Sequence, residues 1–297
     1  MVGGRGSSWA ATGALPWREG TERRGLLLVD RTALDQHRRA IQQDEEGWFV
    51  WGELERLSTA CHVYRATGQT DQDELCRHIT AVTTHVQDLR TIVAKLDWMR
   101  ELRDAGQLGS YTWIYFAATD VVSFLTNVRS LFDRLGRAMR AVANQPGNVP
   151  LLSFNDLQKW LAKPRVDHEM LGGDLATLVE QARDWFGVLR DVRDELIHYD
   201  ARTLVFPGAG IGVQVYAGAR FLLPDDSSLM LNQNVVDFRY LAAAVMARIH
   251  VLLEDAARVI RTRAGFDSGG QGWHRNPGLG ILAEWTDQLI VVLFSKR

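Results

Sequence analysis

Residues 114–142 read IYFAATDVVSFLTNVRSLFDRLGRAMRAV, and this stretch decides the fold. Ile114, Ala117, Val121, Leu125, Val128, Phe132, Leu135, Met139 and Val142 recur at steps of three and four. At 3.6 residues per turn such steps stack into one apolar stripe, so the stretch predicts one long amphipathic helix. Arg129, Asp133, Arg137 and Arg140 fall on its other faces, where solvated charges belong. The helix is expected to stop at ANQPGNVP, residues 143–150, because Pro146 has no amide hydrogen and Gly147 favours a turn.

The same periodicity extends outward in both directions. Ile79, Val82, Val86, Leu89, Val93 and Leu96 predict a helix from the turn TGQTDQDE, residues 67–74, to about Ala105. Residues 31–67 read as helical with a break near Gly47, and Trp48, Trp51, Leu54 and Leu57 mark a buried edge. Downstream, a short helix is expected around 154–161. Leu175, Leu178, Ala182, Trp185, Leu189, Val192 and Leu196 then predict one further long helix, with Asp174 as its N-cap. In residues 202–234 the period changes to alternation, broken by Pro-Gly and Pro-Asp-Asp-Ser turns. Strands are expected at 202–206, 211–216 and 220–231. A last long helix is expected over 235–263, with Leu241, Val245, Ile249, Leu252, Ala256 and Val259 inward.

Four strongly periodic helices with short connections predict a mainly α protein: an antiparallel helix bundle with a small β-hairpin insertion before the last long helix. The expected organisation is a Gly- and Ser-rich flexible leader at 1–30 and a helical bundle domain at 31–263. A linker and an apolar tail that docks on the body follow at 264–297. The sequence of 297 residues has 46% hydrophobic and 24% charged residues, as soluble globular chains do. A net charge of −2 gives no global attraction to nucleic acid, so any such binding must come from a local patch. Two cysteines, Cys61 and Cys76, make neither a disulfide framework nor a metal pattern, and they suit a reducing compartment. No apolar run reaches the ~20 residues of a membrane span. The expected location is therefore cytoplasmic, with no membrane association.

Function is expected at RDVRDELIHYDA, residues 190–201, where the third strong helix ends. Arg193 flanks the apolar stripe near Phe186 and Ile197. Asp194 and His198 lie one turn apart on nearly the opposite side, and Arg190 is one turn below Asp194. A face that mixes Phe186 and Ile197 with these charges reads as a covered one, such as a dimer contact. These groups suit phosphoryl transfer without a metal. An imidazole passes a proton near neutral pH, a guanidinium grips a phosphate, and a carboxylate orients the imidazole. RNA carries its own nucleophile in the 2′-hydroxyl. The bland alternative is that Arg193 and Asp194 are surface charges and His198 a helix-end residue favoured by the helix dipole.

RDELIH, residues 193–198, resembles the signature of HEPN domains: an arginine, a polar residue after it, and a histidine a few residues on. The resemblance spans about 77–263 and leaves the leader, the β insertion and the tail outside the common pattern. It implies Arg193 and His198 as catalytic residues with Asp194 in the polar position. It further implies a metal-independent endoribonuclease without cofactor, of the kind found in toxin–antitoxin and phage-defence systems. The expected partners are an RNA substrate, a second copy of the chain in a homodimer, and a neutralising protein or nucleotidyltransferase. Other family members are non-catalytic modules for dimerisation or partner binding. A family tyrosine two positions after the histidine has no counterpart, because residue 200 is Asp. Arg31–His37 and Arg56–His62 fit the loose spacing too, but only Arg193–His198 has a polar residue directly after the arginine at the end of a long helix.

Other features weigh less. His62, His78 and His85 near Cys61 and Cys76 match no common zinc spacing. GAGIG, residues 208–212, lies between strands and reads as a hairpin turn, not a phosphate loop. Asp120 is either a partner for Arg193 across the bundle or a surface charge. Trp9, Trp17 and Trp273 are candidate anchors for a partner.

Overall fold

The computed structural model describes residues 30–42, 49–50, 52–108, 112–150, 153–198, 204–208, 212–216, 230–232, 235–266, 272–274 and 276–294. Among the described residues the protein is mainly helical. The helices are α1 (Arg31–Ala40), α2 (Glu53–Ala66), α3 (Asp73–Asp104), α4 (Thr112–Ala141), α5 (Phe154–Leu161), α6 (Gly173–Gln181), α7 (Arg183–His198), α8 (Phe238–Arg263) and α9 (Pro277–Phe294). The leader through residue 29, with Trp9 and Trp17, lies outside the described residues.

The apolar stripe of α4 is the spine of the core. Ala117, Val121, Leu125, Val128, Phe132, Leu135 and Met139 are all buried. Its partner is α3. His85 bonds Asn127, and Lys95 bonds Asp120. As numbering rises along α3 it falls along α4, so the two helices are antiparallel. An aromatic cluster ties α4 to the next helices. Phe132 meets Phe154 of α5 and Phe186 of α7 at centroid separations of 5.0 and 4.5 Å. The first is edge-to-face and the second tilted, and such aromatic contacts add to the burial term.

α8 closes the bundle against α1, α2 and α6, and α9 packs on α3, α8 and α1. Glu254 of α8 accepts bonds from the amides of Glu53 (2.6 Å) and Leu54 (3.4 Å), the first turn of α2. A carboxylate there satisfies otherwise orphaned donors and sits at the positive end of the helix dipole. Gly52 makes room for it, since a Cβ at that position would overlap the carboxylate. Glu254→Ala should cost about 1–2 kcal/mol, the scale of a lost N-cap, with a matching drop in urea midpoint.

The β segment is β2 (Leu204–Gly208), β3 (Gly212–Tyr216), β4 (Met230–Asn232) and β5 (Val235–Asp237), in the antiparallel order β2-β3-β5-β4. Gly208 pairs with Gly212, and the rest of GAGIG lies outside the described residues. A second two-stranded ribbon joins β1 (Phe49–Val50) to β6 (Trp273–His274).

Three expectations need correction. The helix predicted from 174 to 198 is divided at Ala182, which ends α6 and precedes α7. Asp174 is not its N-cap. Gly172 takes that place at φ +105°, and Asp174 pairs with Arg263 at 2.6 Å instead. The last helix begins at Phe238, not Val235, because Val235 and Val236 pair with β3 and the Asp237 carboxylate caps the helix through the Arg239 amide.

Candidate functional site

The stretch 190–198 is helical throughout and forms the last half of α7. Arg193 Nη1 donates to the Asp194 carboxylate at 2.9 Å, and both side chains are part-exposed. The Arg193 Nε is buried and finds no hydrogen-bond partner among the described residues. Arg190 donates to Asp191 and to Asn155 of α5, both at 2.6 Å. The side chains of Ile197 and His198 lie outside the described residues, although both positions are in the helix.

Two parts of the expected constellation change. Asp120 does not reach across to Arg193. It is buried on α4 and pairs with Lys95 of α3 at 2.9 Å. Phe186 is no part of an exposed contact face. At 1% exposure it belongs to the interior, against Phe132 and Phe154, so a charged residue there would disturb folding before any association. Arg193 lies two turns beyond Phe186 on the same flank, but that flank is buried at Phe186 and part-exposed at Arg193.

A feature not expected from the sequence lies on the same helix. Arg183, Gly187, Arg190 and Asp194 are spaced i, i+4, i+7 and i+11, which is one face of an α-helix. Residue 198 follows one turn beyond Asp194 on that face. The first three positions, with Asp184, form one wall of a groove of about 300 Å³ whose other wall is α5. Asn155, Gln158, Lys159 and Ala162 contribute from α5. The lining carries three cationic side chains, Lys159, Arg183 and Arg190, against one anionic one, Asp184. Arg183 is held only loosely by Glu180, at 3.4 Å, and both side chains are well exposed.

Gly187 is informative here. A glycine inside a helix costs about 0.5–1 kcal/mol relative to alanine. Nothing in the packing demands it, because a Cβ at that position would meet no atom within 4 Å. The bare backbone keeps the floor of the groove open. Gly187→Ala is accordingly expected to stabilise the fold by about 0.5–1 kcal/mol, read as a higher thermal midpoint.

Compared with protein-family models, curated proteins and solved structures, the chain matches none.

A second polar cluster is buried elsewhere, between α1, α2, α3 and α8. His37 and His250 stand with ring centroids 5.0 Å apart, and neither nitrogen of His37 has a hydrogen-bond partner among the described residues. Arg90, itself buried, pairs with Glu55 at 3.5 Å beside them. Burial first, then His250 and Arg90, hold His37 well below the ordinary histidine range. Burial and Arg90 push His250 down to about 4. The enclosed space between these groups is about 10 Å³, room for a single water-sized body. This is an interior charge cluster, not a substrate site.

The remaining candidates resolve into structure. Cys61 and Cys76 are free and buried, and burial followed by their mutual hydrogen bond raises the Cys61 thiol. Arg129 pairs with Asp133, and Arg140 donates to the Val149 carbonyl at 3.0 Å. Among the described residues no cluster of three or more His, Cys, Asp or Glu is placed to hold a metal ion. Likewise no helix there is long and apolar enough to cross a membrane.

Proposed function

We propose that the chain is a metal-independent endoribonuclease of HEPN type, a toxin or phage-defence effector working as a homodimer in the cytoplasm. The observation that carries this reading is the single face of α7. It runs from a groove lined with cations, past Arg190, to Asp194 and the position of His198, with Arg193 alongside. In this scheme Arg193 binds the scissile phosphate and offsets the charge that develops on it. One of its five N–H donors is engaged by Asp194, which leaves others for a phosphate. Asp194 thereby fixes the guanidinium. His198 moves the proton: the 2′-oxygen attacks the adjacent phosphorus, the 5′-oxygen leaves, and the products are a cyclic 2′,3′-phosphate and a 5′-hydroxyl. The nucleophile belongs to the substrate, so the chemistry needs neither a cofactor nor a protein nucleophile. In a dimer two such helices would face each other and share one cleft.

The test is incubation of purified protein with bulk RNA in the presence of a chelator, with product ends typed as cyclic phosphate. A second reading, a non-catalytic HEPN-like module for dimerisation or for a neutralising protein or nucleotidyltransferase, draws support from the Arg193–Asp194 pair. That pair already satisfies part of the guanidinium. Under that reading RNA stays intact, and Arg193→Ala and His198→Ala change nothing measurable on it.

A further inference from the structure

We infer that the groove between α5 and α7 seats the sugar–phosphate backbone of the substrate strand, holding it in line with Arg193. The inference rests on the ribonuclease reading for the strand's being RNA; the groove itself stands on four observations. Its volume, about 300 Å³, admits a phosphate with its sugar. Its lining holds cations on both walls, Lys159 on α5 and Arg183 and Arg190 on α7, the two arginines being paired with Glu180 and Asp191. Its floor is Gly187, a helix-interior glycine that no packing contact requires. Its α7 lining, Arg183, Gly187 and Arg190, lies on a helix face that continues to Asp194.

The chemistry of recognition follows from these residues. Arg183 and Arg190 stand two turns apart, about 10 Å along the helix axis, so they would meet different phosphates of one strand rather than one shared anion. Lys159 is exposed on α5, facing them across the groove, and acts as a mobile point charge. Arg190 is already oriented by Asn155 and Asp191, which hold its fork in place. None of the lining residues reads a base edge with a fixed donor–acceptor pattern, apart from the Asn155 and Gln158 amides. Those are committed to Arg190 and, at 3.3 Å, to the Val179 carbonyl. The groove should therefore bind strands with little regard to sequence, and salt should weaken it.

The experiment uses the full chain and a short fluorescein-labelled 2′-O-methyl RNA, which binds but cannot be cut because its nucleophile is blocked. Anisotropy titrations across a salt series compare wild type with Lys159→Glu, Arg183→Glu and Gly187→Glu. Each is expected to weaken binding about tenfold or more, and the two cation reversals should lower the salt slope by about one each. Gly187→Glu is the decisive variant, because glutamate is a good helix former and has open space at that position. It should lose binding while its melting temperature stays at or above that of wild type. Should it fail to fold, Lys159→Glu on the exposed surface of α5 carries the same test. Wild-type affinity in Lys159→Glu and in folded Gly187→Glu overturns the groove. If Arg193→Ala still abolishes cleavage in that case, the ribonuclease reading survives alone. Lost binding in the groove variants, with RNA left uncut by wild type, keeps the groove and ends the ribonuclease reading. Displacement of the labelled strand by a mononucleotide or inorganic phosphate at matched phosphate concentration marks a small-anion site and overturns the strand assignment.

Discussion

Arg193→Ala should lower RNA cleavage by about 10²–10³-fold, and His198→Ala by about 10²–10⁴-fold, with the fold intact. The two figures rest on different physics. Removing Arg193 removes a preorganised cation aimed at charge that develops on the phosphate, a loss expected in kcat rather than KM. Removing His198 removes proton transfer, so the pH profile of whatever activity is left should change shape. Arg193→Lys tests the geometry as well. Lysine keeps the charge but loses the planar fork, so it should recover little. Asp194→Asn should fall between wild type and Arg193→Ala, because the amide can still accept one bond from the guanidinium at the 2.9 Å site while losing the charge. The two alanine variants should unfold at wild-type urea concentrations, which a far-UV circular dichroism titration checks. Equal cleavage by wild type, Arg193→Ala and His198→Ala would end the ribonuclease reading.

The second large effect is on stability. Lowering the pH from 6.5 to about 4 should destabilise the protein by about 3 kcal/mol through His250 alone, with a further loss through His37. Both imidazoles are neutral in the folded state, and burial keeps their folded values below the unfolded one. The unfolded chain therefore takes up protons first as the pH falls. Stability is complete above 6.5 and erodes until the folded state also protonates. The groups facing these rings are Arg90 from α3, Glu55 from α2 and Glu254 from α8. Arg90 adds to the depression of His250, and Glu55 opposes it. Glu254, whose carboxyl burial raises, works in the opposite sense and is relieved by acid. Comparison with a His250→Leu variant isolates the histidine contribution: its urea midpoint should fall less than that of wild type across the same window. Parallel curves would show that His250 is not the source.

Periodicity made the long helices legible because it encodes which side of a cylinder is wet. The boundaries of α3, α4 and α5 follow the apolar steps closely. Where two structures share one pattern, the sequence is silent. Val235 and Val236 suit the first turn of α8 as well as they suit β5, and only pairing with β3 decides for the strand. The break at Ala182 is equally hidden, since the Phe186 amide still bonds the Ala182 carbonyl and the apolar steps pass through without a slip. The placing of Arg193 and Asp194 near a helix end was legible in the sequence. The groove was not, because it needs α5 beside α7, and no local spacing reports that neighbour. The helix-face spacing of Arg183, Gly187, Arg190 and Asp194 was the one available signal. His37 and His250 lie more than two hundred residues apart in sequence, so nothing short-range could pair them.

The way α1 is clamped has a consequence for how the protein is made. His37, Leu34 and Ala33 are buried, and α1 packs chiefly on α8 and α9. Its ion pairs run the same way, Arg38 to Asp287 and Asp30 to Arg248. On a ribosome, this early helix emerges with its apolar side bare and waits until residues 238–294 have been synthesised. Such long-range closure is slow and leaves sticky surface showing in the interval. A nascent chain of this layout would lean on chaperones until α8 and α9 have both emerged.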